Sequence, residues 1–384
     1  MNDQAAPGTK DNAGKPGLYM AFELSRKQWK MAFSDGKQAR ARLVTIEAKD
    51  WNRLKTEIDK SKKRFGLAAS APVRSCYEAG REGFWVHRAL SQRDIDNVVV
   101  DAASIEVNRR SRRAKTDRMD AEKLVRQLIR YWGGEQGVWS VVRVPSAEAE
   151  DARQLHRDLE ILKQEQNRHR SRIKSLLFTQ GVDVKIDGKF LRRLDELRCW
   201  NGQPLGEHLK ARLAREYQRL MMAKADQVKL QKQQREELKT SKTPAVEKIQ
   251  RLKQLRAIGT TSSWMFVKEF FGWREFENRR QVAGALGLTP MPYQSGDSNR
   301  EQGISRSGNR RMRAMAVEIA WAWLRFQPDS KLSQWYQTRF GGGGKRMRRI
   351  GIVALARRLM IDLWRYLEEG LVPEGARFKA AAVA

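Results

Sequence analysis

The residues best suited to chemistry sit in Arg109–Leu124, RRSRRAKTDRMDAEKL, where a basic run leads into two carboxylates, Asp117 and Asp120. Acids three residues apart share one face of a helix. Thr116 is placed to cap that helix, with Asp117 in its first turn. Arg109, Arg110, Arg112, Arg113 and Lys115 would attract a polyanion, and the acids offer the oxygen ligands a hard cation such as Mg2+ prefers. A solvated helix start carrying ordinary charges is the competing reading of this stretch taken alone.

Two more carboxylates close short apolar runs: Glu23 ends GLYMAFE and Glu78 lies in VRSCYEA. Each alone is an ordinary strand-end charge. Together with Asp117 and Asp120 they form a set, because sites in open α/β sheets gather beyond the carboxyl ends of strands.

A second cluster spans Leu286–Arg313, LGLTPMPYQSGDSNREQGISRSGNRRMR. Ser295 precedes a glycine there, so its hydroxyl can be exposed and a phosphate can approach the backbone. No histidine is near in sequence, which argues against a Ser/His/Asp hydrolase. Arg300, Arg306, Arg310, Arg311 and Arg313 surround it instead, and arginine suits phosphate. A polar hairpin built on an ordinary Ser-Gly turn is the alternative. Further on, GGGGKRMRR lacks the Walker pattern, since Arg346 follows Lys345 where Ser or Thr is needed. It reads as a hinge with phosphate-binding side chains.

The elements that must position these groups follow from pattern. Residues 17–23, 29–34 and 41–46 read as three short strands, 50–65 as an amphipathic helix, 73–79 as a fourth strand, 84–90 as a helix, and the apolar run 97–101 as a buried strand before the helix from Asp117. That order implies an α/β domain with a mixed sheet over about 18–142. From Ala147 to Phe178, Leu155, Leu159, Leu162, Ile173 and Leu176 repeat at helical spacing, with Gln166 and His169 on the same seam. With a second long helix over 205–239, this predicts a coiled coil or helical hairpin across 146–241, in which His169 sets register. Leu252–Gly259 suggests a helix-hairpin-helix junction whose amides hold a phosphate, or a plain αα-turn. Apolar helices at 318–326 and 350–367 form the core of a last, mainly helical domain, 245–372. Residues 1–17 and 373–384 read as disordered tails.

Composition bounds the function. The formal net charge is +31 over 384 residues, which favours a polyanionic partner. No apolar run approaches the roughly 20 residues that span a bilayer, and the polar N-terminus has no signal-peptide core. Two cysteines without CxxC spacing and four scattered histidines leave carboxylates as the expected metal ligands. A reducing cytoplasm fits.

With both clusters in view, the chain resembles the DEDD-type insertion-sequence transposases that use a serine nucleophile, also described as bridge-RNA-guided recombinases. The matching pieces are AFELS, CYEAGREGFWVHRAL, KTDRMDAEKL, GLTPMPYQSG, SRSGNRRMR and GKRMRR with ALARRLMIDLW. The resemblance implies a RuvC-like, ribonuclease-H-like N-terminal domain whose four acids bind magnesium. Glu78, Asp117 and Asp120 match three of them. The first is usually Asp, and this chain has Glu23, one methylene longer. Ser295 matches the covalent nucleophile, with Ser298 as its nearest rival. The family further implies a coiled-coil dimerisation segment, a homo-oligomer (dimer or tetramer) whose catalytic parts can come from different subunits, donor and target DNA, a structured guide RNA and a nucleoid-associated location. A hydrolytic metal-dependent junction nuclease and a non-catalytic nucleic-acid-binding protein are the competing functions.

Overall fold

The computed structural model describes residues 16–105, 117–295 and 298–380; for 103, 117–119, 292–295 and 298–302 it describes backbone alone. The chain divides into two compact units, Met1–Val144 and Pro145–Ala384.

The first unit is a mixed sheet with helices on both faces. Its strands are β1 (Leu18–Leu24), β2 (Gln28–Ser34), β3 (Arg42–Glu47), β4 (Val73–Glu78) and β5 (Ile95–Val100). They lie in the order β3-β2-β1-β4-β5. The first three form an antiparallel meander, and β1, β4 and β5 run parallel. Helices α1 (Trp51–Arg64), α2 (Trp85–Ser91) and α3 (Asp117–Trp132) complete the unit.

Alternation along each strand divides the core between two faces. Met20, Phe22, Trp29, Tyr77 and Val99 pack with Leu54, Ile58, Val86 and Leu90 of α1 and α2. Ala21, Ala32, Cys76, Val98 and Val100 pack with Ala121, Leu124, Val125 and Leu128 of α3. Small residues on the second face let α3 lie close to the sheet.

The second unit is mainly helical. A short helix, α4 (Ala147–Asp151), precedes the long α5 (Gln154–Phe178). A connection holding α6 (Phe190–Arg193) leads to α7 (Glu207–Thr240), which returns antiparallel to α5: Gln166 donates to the Ala223 carbonyl, and His169 bonds Glu216 at 2.7 Å. His169 is thus an inter-helix contact.

Beyond them come α8 (Pro244–Gln254), α9 (Thr260–Phe266), a π-helical turn at Val267–Phe271, and α10 (Arg279–Leu286). The hairpin β6 (Pro290–Ser295) and β7 (Ser298–Ile304) follows, then α11 (Arg310–Phe326), α12 (Lys331–Tyr336) and α13 (Lys345–Glu368). Trp264, Phe266, Phe270, Trp323, Leu355, Leu359 and Leu363 are in its core.

Three sequence expectations change here. The residues just past Pro373 are tied down rather than loose: Lys379 N donates to the Gln254 carbonyl at 2.8 Å, and Phe378 pairs with Leu255. The same segment occupies the expected phosphate-holding junction, since Arg256 N donates to the Arg377 carbonyl. The glycine run continues a π-helical turn and leads through the N-cap Gly344 into α13, so Lys345 and Arg346 stand on a helix start. Among the described residues, no helix is long and apolar enough to cross a membrane.

Candidate functional site

Glu23 and Glu78 are held by β1 and β4. Phe22 and Tyr77 are paired across these parallel strands, and each acid is the next residue. Both fall two positions beyond residues of the α3 face, Ala21 and Cys76, so strand alternation puts the acids on that face as well. Glu23 is half-buried and Glu78 exposed.

The direction of α3 brings its acids to the same edge. Near the start of β4, the Arg74 guanidinium lies 4.8 Å from the Trp132 ring centroid, at the helix's last turn. Two residues along, Cys76 Sγ lies 3.9 Å from the Leu124 carbonyl oxygen. The helix therefore runs against β4. Four residues back from Leu124 is about 6 Å along the helix, and two residues beyond Cys76 is about 6.6 Å along the strand. Asp120 thus comes level with Glu78, and Asp117 lies one turn further out. Asp120 is half-buried, while the Asp117 side chain lies outside the described residues.

The donor chemistry of this edge suits a hard cation: carboxylate oxygens, with the one thiol near it buried and its pKa pushed up by desolvation. Among the described residues, no three acidic, histidine or cysteine side chains stand close enough together to hold a metal ion. The basic run Arg109, Arg110, Arg112, Arg113 and Lys115, and the cap Thr116, also lie outside the described residues.

Ser295 belongs to the second unit, at the turn of the β6–β7 hairpin. Its backbone pairs with Ser298, the last rung before the turn. The side chains of Ser295 and Arg300 are outside the described part. The base of the hairpin is closely specified. Ser305 N donates to the Thr289 carbonyl at 2.9 Å and Arg306 N to the Gly287 carbonyl at 3.2 Å. Gly287, at φ +66°, ends α10 so close to the chain that a Cβ would lie 1.8 Å from the Ser307 carbonyl oxygen. Gly308, at φ +86°, approaches the Ala285 carbonyl in the same way.

The arginines predicted around the serine divide. Arg306 and Arg310 are exposed. Arg311 faces Glu160 at 3.4 Å, and Arg313 donates to the Leu286 and Ser307 carbonyls, bracing the hairpin base. Burial, then the charges of Arg306 and Arg310, lower the Arg313 pKa. Lys345 and Arg346 are exposed.

Sequence reasoning missed the buried carboxylate behind this segment. Glu269, fully buried in the π-helical turn, takes two hydrogen bonds from Arg157, at 2.7 and 3.0 Å, and one contact with His156 Nε2 at 3.0 Å. Asn309 Nδ2 donates to it at 3.4 Å. The Asn309 side-chain oxygen also caps α11, accepting from Arg311 N and Met312 N. Burial raises the Glu269 pKa, but the His156 and Arg157 hydrogen bonds and charges outweigh it and bring it down to about 2. No local signal marks Glu269, whose ion-pair partners are 112 and 113 residues away in sequence.

Residues 249–335 match the Transposase IS116/IS110/IS902 family. The y4rJ protein of Sinorhizobium fredii (strain NBRC 101917 / NGR234), which is named as a transposase, is 38% identical over 383 residues, covering 94% of each chain. The chain belongs to this transposase family. A second protein of that strain named as a transposase, y4qE, is 28% identical over 254 residues, 66% of this chain and 59% of its own length. The matched segment of this transposase-family chain contains the Glu269 turn, the β6–β7 hairpin with Ser295, and α11.

Proposed function

We propose that this transposase cuts and rejoins DNA through a covalent link to Ser295, assisted by Glu23, Glu78, Asp117 and Asp120 on a RuvC-like, ribonuclease-H-like sheet, with its DNA partners chosen by a structured RNA. What supports the reading is the family membership together with the order of β1, β4 and α3. An antiparallel meander joined to parallel strands, in the order β3-β2-β1-β4-β5, puts Glu23 and Glu78 at the carboxyl ends of neighbouring strands, and α3, which starts at Asp117, packs on the same face.

The four acids would hold Mg2+, which supplies charge neutralisation at a scissile phosphate when bound. The serine oxygen attacks phosphorus. Its bond to phosphorus forms as the bond to the leaving deoxyribose oxygen breaks. A carboxylate takes the serine proton, since no histidine lies near Ser295 in sequence, and the leaving oxygen gains a proton. The phosphoserine ester retains the phosphodiester, so a hydroxyl from a second strand can reverse the attack and restore Ser295 without a nucleotide cofactor. Arg306 and Arg310, exposed where the hairpin base meets α11, are available to backbone phosphates flanking the scissile one. Guide pairing leaves the protein to make backbone and shape contacts, which suits a net charge of +31. The coiled-coil pairing of α5 and α7 would serve a dimer or tetramer.

The test is a denaturing gel of protein incubated with donor DNA, RNA and magnesium. Wild type is expected to give a protein–DNA adduct and Ser295→Ala none. An adduct that persists in Ser295→Ala removes the serine from the role. Cut ends without any adduct in wild type favour hydrolysis by the acids alone.

A further inference from the structure

Apart from both clusters, the far end of the α5–α7 pair combines bare aromatic rings with unpaired cations. Arg170, Lys174 and Phe178 repeat at four-residue spacing along the last turns of α5 and so form one stripe. Phe178 is 82% exposed. Arg170 and Lys174 line an open groove of about 370 Å³ together with Asp183, Val184, Lys185 and Ile186. Among the described residues, neither Arg170 nor Lys174 has a carboxylate partner. Where α5 ends, a tight turn presents Trp200, 81% exposed.

That tryptophan is not a loose end. Its N–H donates to the Gln180 carbonyl at 2.9 Å, Cys199 N donates to Gln203, and Gly202 N to Cys199. Gly181, at φ +72°, lies so close beneath it that a Cβ there would stand 2.9 Å from the Trp200 Cβ. The backbone is fixed while the ring is left in water. Two large rings each more than four-fifths exposed, beside a row of cations, are unexplained by the packing of this unit, whose local core is Ile173, Leu177, Phe190, Leu213 and Tyr217.

We infer that this tip is a binding site for unpaired RNA, in which bases stack on Phe178 and Trp200 while Arg170, Lys174 and Lys185 follow the phosphates. Aromatic platforms beside a basic groove recognise single strands because every base has a π-face. A duplex keeps its base faces stacked inside, whereas RNA displays them in loops and bulges. A second copy of the chain fits less well, because it would bring the same cations against these. Asp183 argues for RNA in particular. A carboxylate among the cations repels phosphate but accepts a hydrogen bond from a ribose 2′-hydroxyl, a group that DNA lacks. The site serves the nucleic-acid side of the function proposed above and is independent of which group is the nucleophile.

The experiment uses the full chain, a labelled unstructured 12-nucleotide RNA and the DNA of the same sequence, with excess unlabelled duplex DNA to occupy other basic surfaces. Fluorescence anisotropy is read over a salt series. Wild type is expected to prefer the RNA, and Asp183→Ala to narrow that preference. Phe178→Ala and Trp200→Ala should each weaken RNA binding by about 5- to 100-fold with the salt slope unchanged, and Trp200→Phe should retain most of it. Arg170→Ala/Lys174→Ala should instead flatten the slope by about 0.7 for each phosphate no longer neutralised. Ring variants that bind RNA within twofold of wild type overturn the site. So does a ring variant that keeps its affinity but falls to a smaller assembly in sedimentation, which would assign the rings to a second copy. Equal binding of RNA and DNA overturns the RNA assignment. Ser295→Ala should bind the oligomer as wild type does, so loss of the covalent chemistry and loss of this site are separately visible.

Discussion

Replacing Glu269 by Gln keeps the shape of the side chain and removes its charge, and the effect should be large and dependent on pH. The carboxyl is fully buried, held by Arg157 and His156, and its pKa falls from 4.5 to about 2. At about 1.4 kcal/mol per pH unit, its ionised form contributes on the order of 3 kcal/mol to folding. A depressed carboxyl gives its full contribution above the unfolded value and loses it as pH falls through the folded one. The contribution is therefore complete at pH 7, begins to decline near 4.5, and is about halved at pH 3. Glu269→Gln also leaves Arg157 without its counter-charge, which adds to the loss. The second unit has 240 residues, Pro145–Ala384, so each kcal/mol shifts its melting by about 2–4 °C. Thermal unfolding followed by circular dichroism should show Glu269→Gln melting about 6–12 °C below wild type at pH 7, with the gap roughly halved at pH 3. A variant within about 2 °C of wild type at pH 7 refutes the reasoning. A gap of constant size between pH 7 and pH 3 refutes the assignment to ionisation.

Three further outcomes follow, the first from the proposed function and the other two from the geometry. Asp120→Asn should reduce magnesium-dependent DNA cleavage by more than about 100-fold, above the loss caused by removing an outer partner of a metal ligand, while filter binding of DNA at fixed salt stays within about twofold. Gly287→Ala should lower the stability of the second unit by at least about 3 kcal/mol in urea unfolding, because it combines left-handed strain with a Cβ placed 1.8 Å from the Ser307 carbonyl oxygen. In the native protein at pH 8, iodoacetamide should label half-exposed Cys199 and spare Cys76, whose burial pushes its thiol pKa up; mass spectrometry should find both labelled in urea.

The first unit was largely readable in the sequence because each of its elements announces itself locally. The runs LYMAFEL and QWKMAFS are apolar enough to be central strands, and Asp50 caps α1 by accepting from Arg53 N. What periodicity left open was which acids would share an edge. That depends on α3 running back along β1 and β4, and the direction is fixed by contacts such as Arg74 with Trp132, 58 positions apart in sequence. The second unit was less legible for a related reason. The Ser-Gly pair already suggested a polar hairpin there, and a hairpin forms; what the pattern left out is how Gly287 and Gly308 allow the chain to close on itself at its base.

The buried polar groups were the least legible, and Glu269 is the clearest case. Glu269 joins three pieces of the second unit: Arg157 on α5, the π-helical turn, and Asn309, which starts α11. Arg306 and Arg310 flank Asn309, and Arg313 lies one turn beyond it. A carboxylate that is costly to bury, and is stabilised only when all its partners are in place, ties the position of this arginine cluster to the folding of the whole unit. Burial first, and then the neighbouring Arg306 and Arg310, lower the Arg313 pKa. Glu269 thus lets positive charge accumulate at the hairpin base without the local chain moving away to avoid it.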